Sequence, residues 1–273
     1  MTVTITASDV NKLRTMTGAG MMDCKKALTE TNGDFEAAID LLRKKGQKVA
    51  ANRSDRDAKE GLVIAKSNGT RGTLTVLSSE TDFVAKNDDF AKTADSLANL
   101  ALEKSPVDHA ALLALPYDGT TVAEKVIEMV GRIGEKIELS KYEQISGGKV
   151  VAYNHPGNKL ACIVAFNKEV SDEMAKNVAM QVAAMAPVAV DKDDVDTTTL
   201  ERELDIAREQ VRAEGKPEEM VEKIAQGKLN KFYKESTLLN QEFIKDAKKT
   251  IRQYLQDSDK ELTVTGFKRI VLG

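Results

Sequence analysis

The pattern that most narrows the fold of this chain is one that occurs twice. Gly61-Leu62-Val63-Ile64-Ala65 reads as a strand, Ser67-Asn68-Gly69 as a turn and Gly72 to Leu77 as the returning strand, and a helix from Phe90 to Leu102 follows. Further on, Gly148 to Tyr153 is a strand, Asn154-His155-Pro156-Gly157 a turn and Leu160 to Phe166 the returning strand. Ser171 then caps a helix bearing Met174, Val178, Met180, Val182 and Met185. A hairpin followed by a helix, repeated, predicts an α+β chain with a two-part core. The copies differ in the link from hairpin to helix. The second is short, Asn167-Lys168-Glu169-Val170, whereas the first is longer and contains Thr81-Asp82-Phe83-Val84. An extension that one copy lacks points to a role outside the fold.

Around the repeat lie purely helical segments. Thr6 or Ser8 caps a helix with Val10, Leu13 and Met16 on its apolar face, and Gly18-Ala19-Gly20 breaks it. A second helix near Met21 to Thr31 offers Met22, Cys24, Ala27 and Leu28 for packing, and Asn32-Gly33 ends it. Asp34 caps a third, with Phe35, Ala38, Ile39, Leu41 and Leu42, closed by Gly46. Three short helices around so small a core resemble a ubiquitin-associated-type bundle, a fold often used to bind another protein. The basic run from Lys44 to Lys59 has little apolar periodicity and reads as a linker or as frayed helix.

Between the copies, Val122 to Ile133 reads as a helix and Lys136 to Tyr142 as a strand. After Pro187, Leu200, Leu204, Ala207 and Val211 recur at helical spacing, Gly215-Lys216-Pro217 reverses the chain, and Met220, Val221, Ile224, Ala225 and Leu229 mark a second helix. This antiparallel helical hairpin, residues 194–235, either projects as a short coiled coil or lies on the core. A helix around Lys248 to Leu255 and a strand from Leu262 to Val271 follow. The expected domains are residues 1–54, helical bundle and linker; 55–142, the first core subdomain with the extended loop; and 143–273, the second core subdomain with the helical hairpin.

Chemistry narrows the function. The net charge of −3 gives no drive toward nucleic acid or an anionic membrane. No apolar run approaches the roughly 20 residues that span a bilayer. Met1 to Thr6 lacks the basic and apolar regions of a signal peptide, so a cytoplasmic location is expected. Cys24 and Cys162 stand far apart without a CxxC and read as small buried residues. Neither GxGxxG nor GxxxxGK[ST] occurs; Ser146-Gly147-Gly148-Lys149 lacks the first glycine and the hydroxyl after the lysine. His109 and His155 are the only histidines, and there is no HExxH. No catalytic residue, metal ligand, cofactor or nucleotide site is expected: the residues favour a binding protein over an enzyme. At the extended link, two readings stand. Phe83 and Val84 staple the following helix to the sheet, with Asp88 or Asp89 as its N-cap, or they present an aromatic beside a carboxylate to a partner.

Leu13-Arg14-Thr15-Met16-Thr17-Gly18-Ala19-Gly20-Met21-Met22-Asp23-Cys24-Lys25-Lys26-Ala27-Leu28 resembles the N-terminal signature of the elongation factor Ts family. Thr81-Asp82-Phe83-Val84-Ala85-Lys86 resembles that family's second signature, and the order of elements is similar over almost the whole chain. The resemblance implies a guanine nucleotide exchange factor for elongation factor Tu in translation. It implies that Phe83, with Thr81, Asp82 and Val84, wedges into the partner's GTPase domain near its Mg²⁺ site. It further implies contacts from Arg14, Met21, Met22 and Lys25, and from His155 at a hairpin tip. For the two methionines core packing is the other reading; for His155 it is a solvated turn. Some family members continue past the final strand with another helical module, so a chain ending at Gly273 implies a thinner interface. A different class of function, a ubiquitin-associated-type adaptor without exchange activity, would rest on the N-terminal helices and leave Phe83 unexplained.

Overall fold

The computed structural model describes residues 3–273. The chain divides into two compact units of mixed helix and sheet, one comprising residues up to 64, 75–143 and 272–273, the other 65–74 and 144–271.

The first unit begins with α1 (Ala7–Thr17), α2 (Met21–Glu30) and α3 (Phe35–Asn52). Thr6 caps α1 through a reciprocal box with Asp9, and Asp34 caps α3 by accepting from the Ala37 N–H. Val10, Leu13, Cys24, Ala27, Leu28 and Ala38 form their shared core. Met16 and Met22, expected to pack, are 57% and 76% exposed. Each lies at a helix end beside the Gly18-Ala19-Gly20 turn, so neither faces the core.

The largest departure from expectation is at Gly46. It does not close α3, and the expected linker is helical as far as Asn52. After β1 (Glu60–Ser67), β2 (Arg71–Ser79), α4 (Asp82–Ala85), α5 (Asp88–Lys104), α6 (His109–Ala114), β3 (Pro116–Tyr117) and β4 (Thr120–Thr121) comes α7 (Val122–Ile133), on which α3 packs. Gly46 meets Gly131 there; a Cβ on Gly131 would lie 2.6 Å from the Gly46 Cα. A glycine that reads as a helix stop is thus a helix–helix contact, and the cost of glycine within a helix, about 1 kcal/mol, is offset by close backbone packing. Beyond it, Val49 and Ala50 join the larger core of Leu77, Phe90, Leu97, Leu112 and Val126, so α3 serves two cores.

β5 (Ile137–Ser146) completes a sheet of order β1-β2-β5. The second unit holds β6 (Lys149–Asn154), β7 (Leu160–Phe166), α8 (Asp172–Met185), α9 (Thr197–Ala213), α10 (Glu218–Ser236), β8 (Glu242–Phe243), β9 (Asp246–Thr250), α11 (Ile251–Gln256) and β10 (Val264–Val271). Its sheet runs β10-β7-β6, with β10 antiparallel to β7 from Val264↔Phe166 to Val271↔Leu160. In both sheets a later strand lies beside the second strand of the hairpin, so the repeat extends to a third strand that periodicity alone does not pair. α8 covers the second sheet, with Val164, Phe166, Val178, Val182, Leu238 and Ile251 in the core. Cys162 is buried in that core and its thiol is pushed up to about 12 by desolvation, which leaves it unreactive.

α9 and α10 pack on one another through Ala207, Val211, Val221, Ala225 and Leu229. Arg208 donates to Glu222 at 2.9 and 3.1 Å and Arg212 to Glu218 at 2.6 Å, which sets the antiparallel register. α10 is the principal neighbour of α9. The elements absent from the sequence reading, α4, α6, β3, β4, β8 and β9, are six residues or fewer, too short for a period to register. β9 takes Lys248 to Thr250, where the sequence predicts a helix, so α11 starts only at Ile251 behind its Thr250 cap. Among the described residues, no helix is long and apolar enough to cross a membrane.

Candidate functional site

The link that distinguishes the first repeat is itself a turn of helix, α4. Thr81 is its N-cap, its hydroxyl accepting from the Val84 N–H at 3.4 Å. The sequence predicts Asp88 or Asp89 as the N-cap of α5, but the cap is Asn87, which accepts from the N–H groups of Asp89 and Phe90 at 2.9 and 3.3 Å. The aspartates instead fill the first turn, where a helix N-terminus favours negative charge.

Two glutamates hold this turn. Glu135 accepts from the Thr81 N–H at 3.1 Å and from its hydroxyl at 2.8 Å. Glu80 accepts from Arg53 at 2.9 and 3.0 Å and from the Lys136 N–H at 2.6 Å. Desolvation works to raise the pKa of Glu80, but the Lys136 N–H and the Arg53 and Arg56 guanidiniums outweigh it, and the carboxyl stays below its ordinary value. Asp82 pairs with Lys86 one turn on, at 2.7 Å.

On so constrained a turn the side chains have fixed directions. Successive helical residues are rotated by about 100°, so burying Ala85 and half-burying Val84 turns Phe83 outward. Phe83 is 83% exposed, and only Val84 acts as a staple. A buried phenyl ring removes roughly 150 Å² from water, worth on the order of 4 kcal/mol, and this chain forgoes that gain at Phe83 in isolation. With aromatics only 4% of the residues, the placement is a specific cost.

Phe83 and Val84 line a cleft of about 520 Å³ with Asn11, Arg14, Arg132 and Ile133. The fold therefore brings Arg14, from the first signature, beside the second signature. Gly18 ends α1 at φ 66°, its N–H donating to the Arg14 carbonyl at 2.7 Å, and the Arg132 side chain lies over it. A Cβ on Gly18 would come within 2.8 Å of Arg132 Nη1. Met21 is 54% exposed and Lys25 is also exposed, with Met22 on the same helix. These residues are available at a surface rather than absorbed in the core. His155 belongs to the second unit; it is an exposed residue of the β6–β7 turn and its Nδ1 lies 3.1 Å from the Tyr153 hydroxyl. Glu80, Arg53, Arg132 and Glu135 escaped the sequence reading. For Glu80 adjacency to the motif was a usable signal; for the others none existed, since each comes from a distant segment.

No group of three or more His, Cys, Asp or Glu able to hold a metal occurs among the described residues. Comparison with known proteins agrees on one family. A family model described as Elongation factor TS matches residues 80–273. The chain is 55% identical over 276 residues to the elongation factor Ts of Cytophaga hutchinsonii, covering 98% of this chain and 99% of that one. It is 52% identical over 269 residues to that of Porphyromonas gingivalis, covering 98% of each. With that of Bacteroides thetaiotaomicron it shares 41% identity over 325 aligned positions, again covering 98% of each.

Proposed function

Because this chain belongs to the elongation factor Ts family, and is thus a translation elongation factor, we propose that it acts as the guanine nucleotide exchange factor for elongation factor Tu. The observation that carries this reading is the outward Phe83 on a turn clamped at Glu80 and Glu135. A rigid, exposed aromatic is a wedge: it reaches its final position without ordering a loop, so little conformational entropy is lost on docking.

The wedge acts on the partner's nucleotide site without chemistry of its own. A bound guanine nucleotide is held through its phosphates and a coordinated Mg²⁺. Phe83, inserted between elements that border that metal, stabilises an arrangement in which coordination is broken, and GDP is released. Coupling is reciprocal: whatever factor this chain takes from nucleotide affinity, nucleotide takes from the affinity of this chain. No bond is made or broken, so no acid, base, nucleophile or resident cofactor is called for. Arg14, Met21, Met22 and Lys25 of the N-terminal helices supply secondary contacts, and His155 a separate one.

The test is stopped-flow release of fluorescent GDP from elongation factor Tu, with this chain and with its Phe83→Ala variant. The reading requires strong acceleration by the wild-type chain and its near loss in the variant. Equal release with and without the chain would refute it.

A further inference from the structure

Arg14 and Arg132 differ from the chain's other arginines. Arg43, Arg53, Arg56, Arg208, Arg212 and Arg252 face carboxylates at 3.2, 2.9, 3.7, 2.9, 2.6 and 2.5 Å. Arg269 donates to the Ala183 carbonyl at 3.1 Å, Arg202 faces Glu203 at 3.9 Å, and Arg71 also has a partner. The side chains of Arg14 and Arg132 have no hydrogen bond or ion pair among the described residues, and both line the cleft beside Phe83. Two like charges sharing one cleft repel, and among the described residues no carboxylate forms an ion pair with either of them. Asp89 lies in the lining but does not pair with either; it stands in the first turn of α5. The Arg132 side chain also lies over Gly18, where a Cβ would come within 2.8 Å of its Nη1 and 2.9 Å of its Cδ.

We infer that Arg132 and Arg14 form a receptor for an acidic side chain of the partner, placed next to the recess that takes Phe83, with Arg132 as a further partner-binding residue. Guanidinium groups match carboxylates in a two-pronged geometry, and shielding by the neighbouring ring strengthens the pair. An aromatic anchor flanked by a charge pair fixes both depth and rotation of the wedge. The inference rests on the exchange-factor reading and adds the chemistry the partner must present: a carboxylate beside an apolar recess. A phosphate group offers the same acceptor geometry, so the test separates the two sources.

The experiment compares the full chain with Arg132→Gln and Arg132→Lys, and with Lys260→Glu as a charge control in the other unit. GDP release from elongation factor Tu, affinity for the nucleotide-free partner at several salt concentrations, and the melting temperature are measured for each. The inference expects Arg132→Gln to weaken binding roughly 10- to 100-fold at low salt and to flatten the salt dependence, with Arg132→Lys partly restored and Lys260→Glu unchanged. If wild-type chain fails to release GDP, the exchange-factor reading itself fails. If wild type is active and Arg132→Gln matches it, or loses affinity with an unchanged salt slope, only the present inference falls. Should Arg132→Gln melt several degrees lower, Arg132→Lys decides: recovery of salt-dependent affinity upholds the inference and no recovery overturns it. Calorimetric binding of inorganic phosphate or GDP to the free chain, abolished by Arg132→Gln, would assign the cleft to phosphate and overturn it.

Discussion

Glu135 holds Thr81 through both its backbone N–H and its hydroxyl, at 3.1 and 2.8 Å, although 54 residues separate them. This pairing joins the connection between α7 and β5 to the cap of α4 and so determines where Phe83 points. It divides the proposed site into an exposed ring and the carboxylates that aim it, and the two should respond differently to mutation.

Phe83→Ala should leave the melting temperature within about 1 °C of wild type, since the ring is 83% exposed. Loss of a hot-spot aromatic costs about 2–4 kcal/mol of binding, so affinity for nucleotide-free elongation factor Tu should fall roughly 30- to 1000-fold. A lowered melting temperature with undiminished exchange would identify Phe83 as a structural residue.

Glu135→Ala removes two hydrogen bonds from the cap of α4. It should reduce GDP release by a smaller factor than Phe83→Ala, because the ring remains but its direction is no longer held. Amide hydrogen exchange should report faster opening across residues 81–86. Unchanged protection there would remove Glu135 from its aiming role.

Glu80 predicts a pH effect of definite sign. Its folded pKa lies below the ordinary 4.5, so its contribution to stability is fully present above that value and is lost as pH falls through the folded pKa. Thermal melts of wild type and Glu80→Gln should differ most at neutral pH and converge as the solution is acidified below about 4.5. A gap that widens in acid would contradict the assigned interactions.

Gly131→Val should destabilise the first unit by about 1–3 kcal/mol, because even a Cβ would sit 2.6 Å from Gly46 Cα and α3 must shift. Differential scanning calorimetry on the full chain tests this; an unaltered melt would mean that the two helices do not meet as described.

In the second unit, Gln181 is fully buried: it donates to Gln241 at 3.1 Å and to the Glu242 carbonyl at 3.0 Å, and accepts from the Ile244 N–H at 2.9 Å. Gln181→Leu strands these groups without water, at about 1–3 kcal/mol for each one left unpaired. Urea unfolding should show a loss of that order, and a neutral result would place solvent in the site.

The helices and hairpins were legible along the chain because their determinants act within a few residues. Caps such as Asp34 and Ser171, the reversal at Gly215-Lys216-Pro217 and the continuous apolar run from Leu160 to Phe166 need no knowledge of distant segments. The same locality made the link at Thr81 to Val84 visible as the feature that separates the two repeats. Apolar pattern, however, reports only that a side chain wants cover, not which neighbour covers it. Gly46 reads as a helix stop until Gly131 is opposite it, and Met16 and Met22 read as core until the bundle turns them outward. Whether Phe83 staples or protrudes depends on Glu80 and Glu135, and the cleft depends on Arg14 and Arg132 arriving from different helices. Those are contacts between segments tens of residues apart, set by how two cores share α3, and only packing in three dimensions brings them together.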